Sequence, residues 1–275
     1  MFEDKTLYVK QLKPYLYLFD ENHECTGYLV IGDKKAALID TMIGYHNYKE
    51  EIRKITDKPV IVINTHGHPD HIYGNVFFDE AYISPGDLDL AIDNCKDPEF
   101  VEVCEEEGFS MPPFKEIKGG DVVNLGGKTL EVFDIPGHTP GGILLLLKED
   151  RILFTGDAIN HHLWLQLPHT VPYEQCIEGI DKVLFLEKEA DVILHGHARD
   201  YDDISLMRCV RDAIQEILDG KNDADTDYTW FMNFYHHLLM NSIFRKILHI
   251  FSYLIFHFLL LLLMKILISL KRVKV

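Results

Sequence analysis

The 275-residue sequence predicts an α+β protein, an αββα sandwich of two mixed β-sheets with helices on both outer faces. Three observations carry that expectation. Short β-type runs outnumber helical stretches. The two halves of the chain repeat one order: strands, a ligand-rich loop, a helix. Several of the apolar runs end in a loop that pairs histidine or aspartate with glycine.

The elements follow from local pattern. "YLYLF" at Tyr15, "TGYLVI" at Thr26 and "AALID" at Ala36 read as strands, parted by turn-prone segments such as "GDKK" at Gly32. A polar stretch with helical spacing, 45–55, precedes the buried strand "VIVI" at Val60. The second half opens with strands and turns over 121–142 and continues through "ILLLL" and "RILFTGD". A helix over 173–187, the strand "DVILHGH" and a helix over about 202–218 complete it. The acidic segment 93–120 reads as an insertion capping a pocket, with "EEEG" as a solvated helix end.

Composition is that of a globular chain, 47% hydrophobic and 26% charged, but charge is unevenly spread. Net charge is −17 from 27 basic and 44 acidic residues, and no acid follows Asp227. Six basic residues lie beyond that point, so the tail carries +6 and the upstream chain −23. Such an acidic body argues against nucleic acid as a partner, since that needs a basic footprint. Residues 1–218 read as the catalytic domain and 219–246 as a linker.

Residues 247–270 read as a C-terminal apolar helix, long enough to cross about 30 Å of hydrocarbon at about 1.5 Å per residue. Basic pairs flank it, Arg245–Lys246 and Lys271–Arg272. The reading is a membrane anchor on a cytoplasmic catalytic domain, with a packed helix or a foreign coding end as alternatives. The N-terminus lacks the basic and apolar regions of a secretory signal. Five cysteines without C-x-x-C spacing (Cys25, Cys95, Cys104, Cys176, Cys209) read as reduced core residues.

The chemistry concentrates in "INTHGHPDHIYGN", 63–75. Imidazole and carboxylate are ligands for zinc, iron and manganese, and one loop supplies only part of a coordination shell. His66 and His68, two apart on an extended segment, project together toward one ion. Asp70 and His71, past Pro69, are placed to serve a second. Later strand ends offer His138 in "PGHTPG", Asp157 in "TGDAIN", and His195 or His197 in "HGHARD".

Together, "THGHPDH", "PGHTPG", "TGD" and "HGH" resemble the metallo-β-lactamase-fold hydrolases, over about residues 15–200. The resemblance implies a dinuclear metal centre, with zinc favoured and iron or manganese compatible. By motif, His66, His68 and His138 resemble the first metal's ligands. Asp70, His71 and the last-loop histidine resemble the second metal's, and Asp157 the bridging carboxylate. The family's P-G-H-G aligns on Gly196, which favours His197 over His195. Asp40 in "LIDT" resembles a carboxylate standing behind a ligand histidine. The implied reaction is hydrolysis by a metal-bridging hydroxide, with Asp70 as a catalytic residue holding it and passing on its proton.

Departures narrow the substrate. Asp157 stands where some β-lactamases carry Cys, and His68 where flavodiiron proteins need an acid. Asn160 stands where lactonases often carry Tyr. The basic helical domain that glyoxalase II uses for glutathione is not evident. The branch nonetheless looks glyoxalase II- or lactonase-like. A small-molecule ester, thioester or lactone is expected, with a phosphodiesterase or a metal-binding sensor of low turnover as alternatives. The stretch 161–176 is expected to line the site's mouth. Asn160, Trp164, His169 and Tyr173 are its candidate pocket residues, with Leu165 and Leu167 beside them.

Overall fold

A computed structural model describes residues 5–221 of the chain. The first sheet has seven strands in chain order: β1 (Leu7–Lys13), β2 (Leu16–Glu21), β3 (Cys25–Ile31), β4 (Ala36–Ile39), β5 (Val60–Ile63), β6 (Ala81–Ile83) and β7 (Phe114–Glu116). The first four pair antiparallel, and β4 to β7 pair parallel. The second sheet runs β13 (Asp202–Asp203), β12 (Val192–His195), β11 (Ile152–Gly156), β10 (Ile143–Leu147), β9 (Thr129–Asp134), β8 (Val122–Asn124). Only β11 and β12 are parallel there.

Period-two alternation explains the layering. In β10, Ile143, Leu145 and Leu147 enter the core between the sheets. Leu144 and Leu146 face the opposite way, into the layer formed with α5 (Tyr173–Val183) and α6 (Leu206–Leu218). β11 does the same with Ile152 and Phe154 inward and Leu153 outward. On the first sheet, Tyr28 and Val30 point inward while Leu29 joins the outer cluster with Tyr48 and Ile52 of α1 (Tyr48–Arg53). Two sheets sharing one core, each covered by helices, make the expected αββα sandwich.

Several expected elements shift. The first outer helix begins only at Tyr48, because Asn47 caps it by accepting from Glu50 N–H. The helix expected from Tyr173 ends as α-helix at Val183 and continues as a 3₁₀ turn, Leu184–Lys188. The last helix starts at Leu206, because Asp202 and Asp203 pair with β12 instead. After the short α2 (Pro69–Ile72) and α3 (Leu88–Asn94), the insertion forms α4 (Pro98–Glu107) and β7, and α4 closes at Gly108 in a left-handed turn (φ +71°). Its "EEEG" run is the exposed helix end expected of it. Cys25 and Cys176 are buried core residues, but Cys209 is exposed on α6, since its helical position faces away from the sheet.

Among the described residues no helix is long and apolar enough to cross a membrane. The expected anchor at 247–270 and nearly all of the expected linker lie outside the described residues.

Beyond β4 the chain crosses toward α1 over a buried carboxylate. Glu21, 0% exposed at the end of β2, accepts from the N–H groups of Ile43 (3.0 Å) and Gly44 (3.1 Å) and from the Tyr48 hydroxyl. His46 Nδ1 lies 3.4 Å from Oε1, the oxygen that also accepts from Tyr48. Burial pushes the Glu21 carboxyl above its ordinary value, although Tyr48, His46 and Gly44 favour the carboxylate. The unfolded chain therefore releases this proton first as pH rises past about 4.5, and the native state loses stability from there upward. Glu21→Gln, which cannot titrate, should gain stability relative to the parent between pH 4.5 and pH 7. Urea unfolding at the two values measures this; a difference that does not change with pH would refute it.

Candidate metal centre

Four strands deliver the site, each at its C-terminal end. β5 leads into His66–His71, β9 into His138, β11 into Asp157 and β12 into His197. The two sheets are stitched together there by backbone hydrogen bonds, Ile143 N–H to Thr65 O (2.9 Å) and Thr26 N–H to Gly196 O (2.7 Å), while Gly196 N–H to Gly156 O (2.9 Å) extends the β11–β12 pairing within the second sheet. This close approach needs glycine. A Cβ at Gly156, itself at φ +49°, would meet Thr65 Oγ1 at 2.2 Å. One at Gly196 would meet Asp157 Oδ1 and His71 Cε1, both at 2.5 Å.

Two groups of donors result. His66, His68 and His138 bring ligand atoms within 4.8 Å of one another, and so do Asp70, His71, Asp157 and His197. Asp157 stands between them: Oδ2 is 3.0 Å from His197 Nε2 and 3.9 Å from His138 Nε2, and Oδ1 is 3.6 Å from His71 Nε2. Asp70 Oδ2 lies 3.5 Å from His71 Nε2 and 3.7 Å from His197 Nε2.

The ring tautomers follow from what holds the other nitrogen. His71 Nδ1 donates to Asp40 Oδ2 (2.9 Å), His138 Nδ1 to Trp164 O (2.7 Å) and His197 Nδ1 to Glu24 O (2.7 Å). His66 Nδ1 lies 3.1 Å from Thr65 Oγ1, whose own proton goes to Asp40 Oδ2 (2.8 Å). In each of these rings Nε2 is thereby turned inward, where it offers a lone pair once it is free of a proton. His66 Nε2, His71 Nε2 and Asp157 Oδ1 are buried without a hydrogen-bond partner. His68 Nδ1 and His138 Nε2 face each other at 2.9 Å. Orphaned lone pairs in a buried pocket are costly unless a proton or a cation sits among them, and this donor set fits divalent zinc, iron or manganese.

The electrostatics differ between the groups. Burial pushes His68 down to about 4 and His66 well below its ordinary value, helped by the neighbouring imidazoles. In the first group, His66 and His68 are thus neutral imidazoles. In the second, burial opposes charge but the carboxylates outweigh it. Asp70, Asp40 and Asp157 hold His71 well above the usual range, and Asp157 lifts His197 to about 9. Against burial, His71 and His197 lower Asp70 to about 2 and Asp157 well below the usual carboxylate range. Protons bridge the carboxylates where a cation would otherwise sit, so cation binding there must release them.

Asp40 underlies both groups. Its left-handed backbone (φ +60°) is held by Thr65 N–H (2.7 Å), Thr65 Oγ1 and His71 Nδ1 on its two oxygens.

The candidate pocket residues differ in setting. Asn160 is buried and closes a turn, with its Oδ1 accepting His162 N–H (2.6 Å). Trp164 meets the site through its carbonyl on His138. Leu165 and Tyr173 pack on the core beneath α5 and α6. His169 is exposed, within electrostatic reach of Asp93. Asp87 and Asp202, which sequence reasoning passed over, stand behind the ligand loops. Their only signal was an acid directly after "SPG" and after "ARDY".

A model of the metallo-beta-lactamase superfamily matches residues 22–197, spanning all of the donor residues. The chain belongs to this superfamily. Within it, acyl-coenzyme A thioesterase MBLAC2 of Bos taurus is 27% identical over 233 residues, 72% of this chain and 81% of that protein. Hydroxyacylglutathione hydrolase of Hyphomonas neptunium is 35% identical over 136 residues, 48% of this chain and 47% of the relative. The DIM-1 metallo-beta-lactamase crystal structure superposes with a TM-score of 0.57 at 18% identity, over 78% of this chain and 100% of that one, which shows the shared fold.

In this superfamily member, Asp40→Asn should weaken zinc binding about 10–100-fold, since His71 and Thr65 lose their common acceptor. Competition against a chromophoric chelator measures it. Unchanged affinity would remove Asp40 from the site's construction.

Proposed function

We propose that this metallo-beta-lactamase-superfamily hydrolase cleaves small-molecule thioesters, of which acyl-coenzyme A esters are the leading class, at a dinuclear centre. The carrying observation is the pair of adjoining donor groups, with Nε2 of His66, His71, His138 and His197 turned inward and with Asp157 between the groups. In this reading His66, His68 and His138 hold one divalent cation and Asp70, His71 and His197 the other, zinc being favoured. When bound, the cations would supply a nucleophilic hydroxide at neutral pH and polarise the acyl carbonyl.

The chain's own groups do the rest. Asp70, held as a carboxylate with its side chain 32% exposed, faces the entrance as a proton acceptor, able to orient the attacking water. A thioester suits such a site. Its leaving thiol has a pKa near about 8.5, so the thiolate departs without a general acid. An alcohol or amine would need one. The names of the relatives support the same class, since both the coenzyme A and the glutathione substrates are thioesters.

A panel of acyl-coenzyme A esters, a hydroxyacylglutathione, aryl esters and lactones, with thiol release followed optically, tests the proposal. Acyl-coenzyme A turnover should lead. Chelation, His138→Ala or Asp157→Asn should each lower kcat/KM by at least about 10²-fold. Lactone or aryl-ester turnover with none on thioesters would overturn the substrate class.

A further inference from the structure

The donor loops come from distant parts of the chain, and something must keep each pair in register. Behind the three-histidine group lies Asp87, 0% exposed, just ahead of α3. Its Oδ2 accepts Gly67 N–H (2.9 Å), between His66 and His68, and its Oδ1 accepts Gly141 N–H (2.5 Å), three residues past His138. The loops are pressed together here: a Cβ at Gly141 would meet Asp87 N at 2.3 Å. A single buried carboxylate thus joins the two loops of that group.

Behind the other group stands Asp202. Its Oδ1 is 2.9 Å from His161 Nε2, four residues past Asp157, and its Oδ2 is 3.1 Å from His195 Nε2, two before His197. These three side chains have the spacing of a further cation site. One hydrogen bond argues otherwise. His195 Nδ1 accepts the N–H of His197 (3.2 Å), so the ring's proton is on Nε2 and points at Asp202. His195 is further pinned through its carbonyl by Tyr28 Oη (2.6 Å) and Thr26 Oγ1 (3.1 Å). Asp202 therefore ties the Asp157 loop to the His197 loop.

We infer that Asp87 and Asp202 are positioning residues with separate clients: Asp87 braces the His66–His68–His138 group, and Asp202 the Asp157–His197 side. The inference rests on the dinuclear reading above. Neither carboxylate is among the donors of the two groups, so each acts through the geometry of loops it joins. The two ions should then be separately weakened.

Cadmium-113 NMR of the full chain loaded with two equivalents reads this directly. The parent should give two resonances, and His68→Ala assigns the three-histidine one by removing it. Asp87→Asn turns an amide N–H against one of the two backbone donors. It should weaken that same resonance's ion about 10–100-fold and leave the other ion in place. Asp202→Asn should do the reverse. Thermal unfolding of the metal-free variants checks the fold, and Asp87→Ser replaces Asp87→Asn if the latter does not fold. Equal weakening at both sites, or at neither, overturns the inference while leaving the dinuclear reading intact. A third cadmium bound by the parent and lost in Asp202→Asn overturns the Asp202 half, assigning the triangle to a cation. A parent with fewer than two resonances sinks the dinuclear reading, and the inference with it.

Discussion

Seven ring and carboxylate donors face one another in a mostly buried space, and that crowding sets the terms for the surrounding structure. Lone pairs held together away from water repel one another, and only protons or cations between them relieve it. Each ring must therefore show a chosen nitrogen inward, Nε2 in His66, His71, His138 and His197 and Nδ1 in His68. Asp40, Thr65, the Trp164 carbonyl and the Glu24 carbonyl take up the outward nitrogens, each from a different loop. Part of what looks like ordinary loop bonding is thus tautomer selection for the centre.

The sandwich makes that selection possible. Strand ends from both sheets meet at one edge, and the strongly apolar inner faces of β10 and β11 fix their register. Register matters because a one-residue slip would turn Phe154 outward and displace Asp157 with it. Glycines 156 and 196 let the loops close to distances no side chain allows. The left-handed Asp40 is tolerated because three donors hold it.

Legibility followed locality. His66, His68, Asp70 and His71 lie in one loop, so the spacing of the sequence is nearly their spacing in space. The strands of the core were readable from alternation, as in "ILLLL". β1 was not, because its residues are mostly exposed and show no buried period. β13 is two residues long and disappears into an expected helix. That Tyr173 and Leu165 pack against the core under α5 and α6 was not legible, because apolar side chains beside a loop read the same whether they face substrate or core.

Residue types at strand ends, the alternation of the strands and the H-x-H-x-D-H spacing were determined by the sequence by itself. They set the fold class and the kind of chemistry, since ligand identity and period are properties of adjacent residues. The pairing of distant loops was decided only in the folded chain. Which side of Asp157 each histidine faces, which nitrogen it presents, and that Asp87 and Asp202 turn inward rather than to solvent depend largely on partners 20 to 173 residues away or on neighbouring strands. Hydrogen-bond geometry between such partners leaves no trace in a linear pattern.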